Sequence, residues 1–112
     1  MTHIFGQKKK GFDYEIRQAV YAVIFSKEKK MVLTVKNSQG MYFLPGGGLK
    51  RKEGDHSCLK RELLEETGYT IEIKDFIGHA FQYFFSRKNE PFLGDGYFYL
   101  AELLDKKQEP IE

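Results

Sequence analysis

The sequence predicts an α+β domain in which a mixed β-sheet carries a single helix on one face. Three observations support this. Segments rich in β-branched and aromatic residues recur between turn-forming clusters, and only one stretch has a helical pattern closed by a glycine. A length of 112 residues with 41% hydrophobic content suffices for one modest core. The chain reads as one domain over residues 1–112, without repeats, low-complexity tracts or internal linkers.

Taken in order, Glu15 to Ser26 and Met31 to Val35 are dense in strand-favouring types, with the polar run Lys27-Glu28-Lys29-Lys30 as the turn of a hairpin. Asn37-Ser38-Gln39-Gly40 makes the next turn, and Met41 to Leu44 is a short strand ending at Pro45. Gly46-Gly47-Gly48 opens backbone conformations that larger residues resist, and a loop then runs to Gly54. Asp55 is the expected N-cap of a helix from about His56 to Thr67, with Leu59 and Leu63 turned to the core and Gly68 as the stop. Beyond it, Thr70 to Ile73 alternates as a strand and Phe76 to Ser86 forms a longer one. Gly96 to Leu103 is the last, after a loop at Pro91 to Gly94.

Composition narrows the function classes. A net charge of +2 is too small for nucleic-acid binding by bulk electrostatics. The single cysteine, Cys58, cannot close an internal disulfide and is expected to be a half-buried packing residue, which fits a reducing cytoplasm. The longest apolar run, Ala19 to Phe25, has seven residues, so neither an export signal nor a membrane span is expected.

The expected helix is chemically unusual. Glu62, Glu65 and Glu66 fall at spacings of three and four, which gathers them into one sector of its surface. Glu62 and Glu66 repel as an i,i+4 pair, and Glu65 and Glu66 occupy the last turn, where the helix dipole disfavours anions by roughly 0.3–1 kcal/mol each. Arg61 precedes Glu65 in the weaker orientation for an ion pair and is not expected to balance three acids alone. A hard divalent cation such as Mg²⁺, which takes oxygen ligands, would turn the repulsion into binding. The competing reading is an acidic helix with a purely structural role.

Gly47, five residues, Glu53, seven residues and then Arg61-Glu62-Leu63-Leu64-Glu65-Glu66-Thr67-Gly68 resemble the motif of the MutT/Nudix hydrolases, departing from it only at the final aliphatic position, Tyr69. The resemblance implies an α/β/α sandwich and a metal-dependent hydrolase acting on a small nucleotide-type substrate. The bond cleaved would be the pyrophosphate of a nucleoside diphosphate linked to another moiety. It implies Mg²⁺ or Mn²⁺ held by Glu62, Glu65, Glu66 and Glu53, with a backbone carbonyl of Gly46 or Gly47. Glu62 or Glu53 would activate water, and Arg61 would orient the acids. A Nudix-like nucleotide-binding or regulatory module without turnover is the alternative.

Several positions stand outside the motif. Many relatives carry an acid two residues after the glycine turn and a glycine just before the catalytic glutamate; this chain has Lys50-Arg51-Lys52 there. Lys50 and Lys52 are therefore candidates for substrate phosphates, against the plainer reading of a solvated basic loop. Glu90 and Asp95 lie in or beside the loop before the last strand, where relatives often place a further acid. Phe81, Tyr83, Phe84, Phe85, Tyr97, Phe98 and Tyr99 are mostly expected in the core, and His56 and His79 receive no role. Similar chains continue with a further strand and a helix where this sequence has the polar run Asp105 to Glu112. A domain shortened at the C-terminus is expected, with an uncovered sheet face that favours a homo-oligomer.

Overall fold

Strand-forming alternation and one glycine-closed helical segment produce, in chain order, β1 (Thr2–Phe5), β2 (Glu15–Val23), β3 (Val35–Lys36), β4 (Tyr42–Phe43), β5 (Gly46–Gly48), α1 (Asp55–Thr67), β6 (Tyr69–Phe85) and β7 (Pro91–Lys106). The computed structural model describes residues 2–111. Five strands form a mixed sheet in the order β1-β6-β7-β2-β5, while β3 and β4 make a separate two-stranded ladder. β1 runs parallel to β6 and β2 parallel to β7; β6 with β7 and β2 with β5 are antiparallel.

The core lies between α1 and one sheet face. Alternation along β2 turns Val20 and Ala22 to that side, with Ile24 just beyond the strand, and Cys58, Leu59 and Leu63 of the helix meet them with Ile71 and Ala101. Leu59 and Leu63, four residues apart, are completely buried, each contributing about 2 kcal/mol of apolar burial. Among the described residues α1 is the one helix, and no helix covers the face that bears Tyr21, Phe98 and Leu100. No helix among them is long and apolar enough to cross a membrane.

Gly68 ends α1 as expected, in the left-handed conformation (φ 80°) with its N–H donating to the Leu64 carbonyl. The start differs. Asp55 is the first helical residue and Gly54 the cap, without a side-chain hydrogen bond. The Asp55 carboxylate instead accepts from the Tyr99 hydroxyl at 2.9 Å, tying the helix N-terminus to β7. The strands also differ from expectation. Thr70–Ile73 and Phe76–Ser86 fuse into β6, because the register irregularities around Phe76 absorb Lys74 and Asp75 without breaking the ladder. Pro91–Gly94 is strand rather than loop; Pro91 sits at the strand's first position, where a missing donor is tolerated. Met31–Val35 forms no full strand. Ser26 and Leu33 donate to Met31 and Ile24, leaving a single bridge at Phe25 and Val32, and Val35–Lys36 pairs with Tyr42–Phe43 instead.

The glycine run is also a strand. β5 pairs with Ala19–Tyr21, and Gly46 takes φ 143° with its missing Cβ only 2.1 Å from the Val20 carbonyl oxygen. No other residue type fits that approach.

Candidate active site

β5 and α1 face each other across the acidic sector. A Cβ on Gly47 would stand 2.7 Å from the Glu62 carboxyl carbon, so the Glu62 carboxylate occupies the space a side chain would take. The Gly46 N–H donates to Glu66 Oε1 at 2.9 Å. The glycines are therefore both a tight strand and a wall against which two of the acids rest.

Arg61 reaches further than its position in the sequence implies. Its Nε and Nη2 donate to the two oxygens of Glu53, each at 2.8 Å, while Nη1 donates to Glu62 at 2.9 Å and Glu65 at 3.1 Å. The planar guanidinium thus fans out to Glu53, Glu62 and Glu65. One cation against these three acids, with Glu66 held by the Gly46 N–H, leaves negative charge in excess. Glu53 also accepts the Lys50 N–H at 2.9 Å. The Arg61 hydrogen bonds first, and the Lys50 N–H second, hold its carboxyl down to about 2. The same pairing raises the pKa of Arg61.

Cys58 is completely buried rather than half-buried. Its thiol points at the Gly47 and Gly48 carbonyls at 3.7 and 3.5 Å. Burial, reinforced by the Glu53 charge, pushes it up to about 11.

Glu53, Glu62, Glu65 and Glu66 with the Gly47 carbonyl supply only hard oxygen donors, and the missing Cβ of Gly47 lets the Glu62 carboxylate stand against the β5 backbone. That donor set fits a Mg²⁺-class cation. As the side chains stand, no three acidic, cysteine or histidine groups among the described residues converge on one point. Glu53, Glu62 and Glu65 are turned to Arg61.

Two cavities flank the acids, one at each end of β5. The first, about 440 Å³, is lined by Tyr21, Lys36, Asn37, Phe43, Gly47 and Glu66 among others. Tyr21 stacks on Phe98 at 5.4 Å, and burial, then the charges of Glu66 and Glu62, raise the pKa of its phenol. The second, about 660 Å³, runs beside Glu53 and includes Lys50 and Lys52.

The remaining candidates are elsewhere. Glu90 sits in the β6–β7 turn, where its Oε1 accepts from the Ser86 hydroxyl at 3.5 Å. The register from Glu15 opposite Phe92 to Val20 opposite Tyr97 separates that turn from the glycine strand by ~16 Å of strand. Asp95 is buried inside β7, where it hydrogen-bonds His79, which stacks on Tyr97 at 4.5 Å and contacts the Thr2 hydroxyl at 3.2 Å. Sequence left His79 without a partner; only the β6–β7 register brings these two side chains together.

The NUDIX domain family matches residues 15–112. The 8-oxo-dGTP diphosphatase of Buchnera aphidicola subsp. Acyrthosiphon pisum is 33% identical over 93 residues, covering 72% of this chain and 75% of that protein. An ADP-ribose pyrophosphatase from Streptococcus suis 89-1591 shares the fold with a TM-score of 0.66 at 24% identity, over 86% of this chain and 66% of that one. The MutT protein from Methanosarcina mazei Go1 gives 0.67 at 21%, over 91% and 75%. This chain thus spans just under two thirds of the streptococcal protein and three quarters of the other two. With a match over residues 15–112 and a helix that carries three of the motif's four glutamates against a glycine strand, the chain belongs to the NUDIX hydrolase family.

Proposed function

We propose that this NUDIX hydrolase cleaves the pyrophosphate bond of a nucleoside diphosphate linked to another group, in a reaction that depends on Mg²⁺ or Mn²⁺. The observation that carries the reading is the cleft between β5 and α1, where Glu62 and Glu66 stand against the glycine strand and Arg61 links Glu53, Glu62 and Glu65, flanked by two cavities large enough for the two halves of such a substrate. Glu65 and Glu66, with Glu62, Glu53 and the Gly47 carbonyl, would hold the cation. When bound, it neutralises charge developing on the phosphoryl oxygens. Arg61 keeps the acids in register, and Glu53 spends both oxygens on that contact. Glu62, with one oxygen on Arg61, is therefore the better placed of the two to take a proton from water. The nucleoside end belongs in the cavity of Tyr21, Phe43 and Asn37, which offers aromatic faces and an amide. Relatives named for 8-oxo-dGTP and for ADP-ribose make both compounds the natural first substrates to try.

The test is product release from these two compounds with Mg²⁺ or Mn²⁺. Activity should fall by more than about 100-fold in Glu65→Gln and in Glu66→Gln. Unchanged rates in both variants would reject the assignment. A binding module without turnover is the second reading, favoured by the hold of Arg61 on three of the four acids. It predicts that metal and nucleotide raise the melting temperature while no product forms.

A further inference from the structure

We propose that the groove beside Glu53 is a polyphosphate subsite. The preferred substrate then carries at least one phosphate beyond the scissile pyrophosphate, as in a nucleoside triphosphate or a longer polyphosphate, rather than a nucleoside diphosphate joined to a neutral sugar. This rests on the pyrophosphohydrolase reading above.

The groove, about 660 Å³, is formed by the first residues of β2 and the loop from Gly48 to Glu53. Its lining holds four cations, Arg17, Lys50, Arg51 and Lys52, against two anions, Glu15 and Glu53. Both anions are already engaged: Glu15 lies 3.5 Å from Arg17, and Glu53 is held by Arg61. Among the described residues Lys50, Arg51 and Lys52 enter no ion pair, so their charge is available to an incoming anion. Arg17 lies over Phe92, its guanidinium 3.9 Å from the centre of the ring. The lysines bring compact point charges, which suit a chain of phosphates more than a rigid fork does.

Position gives the groove its meaning. Glu53 forms one of its walls and receives the Lys50 N–H, so an anion entering the groove is already beside the acids. The opposite cavity ends at Glu66 and Gly47. A nucleotide with its base in that cavity and its pyrophosphate over α1 would carry any further phosphates toward the cations.

Lys52 adds an independent observation. It adopts φ 63°, the left-handed conformation that glycine takes without strain and lysine does not. Lys29 bears the same conformation in an exposed hairpin turn, so strain alone identifies nothing. What distinguishes Lys52 is that the strained residue places a positive charge in the groove wall next to Glu53.

The experiment titrates inorganic tripolyphosphate into the 112-residue chain by calorimetry at low salt, without added metal. Lys50→Gln and Lys52→Gly should each weaken binding about 5- to 10-fold, whereas Lys88→Gln, which removes one charge from the β6–β7 turn, should leave it unchanged. Lys52→Gly should also raise the melting temperature, which separates lost binding from damaged folding. Absence of binding by the wild type, or an equal loss in Lys88→Gln, would overturn the proposal. In turnover, Lys50→Gln should raise KM for a nucleoside triphosphate about 5- to 10-fold and that for a nucleoside diphosphate sugar less than about 2-fold. Groove-dependent tripolyphosphate binding in a protein that hydrolyses nothing would sink the hydrolase reading and keep the subsite. Turnover with KM indifferent to the groove variants would sink the subsite and keep the hydrolase.

Discussion

Arg61 holds Glu53 through two parallel hydrogen bonds, Nε to Oε2 and Nη2 to Oε1, both 2.8 Å, across a span of eight residues. The contact ties the loop after β5 to the helix and leaves Nη1 for Glu62 and Glu65. A lysine can supply the charge but not the fork. Arg61→Lys is therefore expected to fold, to melt at a lower temperature, and to lose about 10- to 100-fold in kcat, because the acids lose their common positioning. Steady-state kinetics beside a thermal melt would check this, and a wild-type kcat would show that the acids position themselves.

The same pair sets an acid limb of stability. Glu53 has a folded pKa of about 2 against an ordinary 4.5, so its favourable contacts are complete above about pH 4.5 and vanish as pH falls through about 2. The sign follows from proton binding: the unfolded chain takes up this proton first, and acid then favours unfolding. Melting temperature plotted against pH should drop across that window, and Glu53→Gln should flatten the drop. An identical acid limb in the variant would assign the loss to other carboxylates.

Two neighbouring glycines should respond oppositely to alanine. At Gly47 the new methyl meets the far end of Glu62, a side chain that can swing away. Folding should survive, with a change within about 1 kcal/mol, while activity falls because Glu62 is displaced. At Gly46 the methyl meets the Val20 backbone at 2.1 Å with φ at 143°, so β5 must separate from β2. A loss of about 3 kcal/mol or more is expected. Chemical denaturation of the two variants would separate them, and equal destabilisation would contradict the assignment of the two contacts.

What sequence made legible was local. The helix could be placed because Leu59 and Leu63 share a face and Gly68 supplies the left-handed stop, all within one short segment. The acidic set was legible for the same reason, since spacing on a helix fixes side-chain neighbours. Register was not. The fusion of β6 across Lys74 and Asp75, the pairing of Thr2–Phe5 with His79–Gln82, and the Asp95–His79 contact all depend on which strands meet. A short segment such as Ile4-Phe5 carries no periodicity that would announce its partner. The reach of Arg61 to Glu53 was hidden similarly, because the loop that returns Glu53 to the helix has no repeat to set its path.

Cys58 offers a probe of the site that does not depend on turnover. Its side chain is completely buried beneath β5, with Sγ 3.5 Å from the Gly48 carbonyl. Its pKa of about 11, raised from 9.0 chiefly by burial and next by the Glu53 charge, leaves only about 0.1% thiolate at pH 8 while the helix stays closed. Alkylation of the folded protein must therefore wait for α1 to lift from the glycine strand. Intact-mass measurement after iodoacetamide at pH 8 should show the native chain unmodified under conditions that label the urea-unfolded chain fully. Gly46→Ala, by freeing β5 from β2, should raise the native labelling rate, whereas Gly47→Ala should leave it near that of the wild type. Rapid labelling of the wild type would mean that the helix does not rest closed on β5, and the acids would then lack the wall that aligns Glu62 and Glu66.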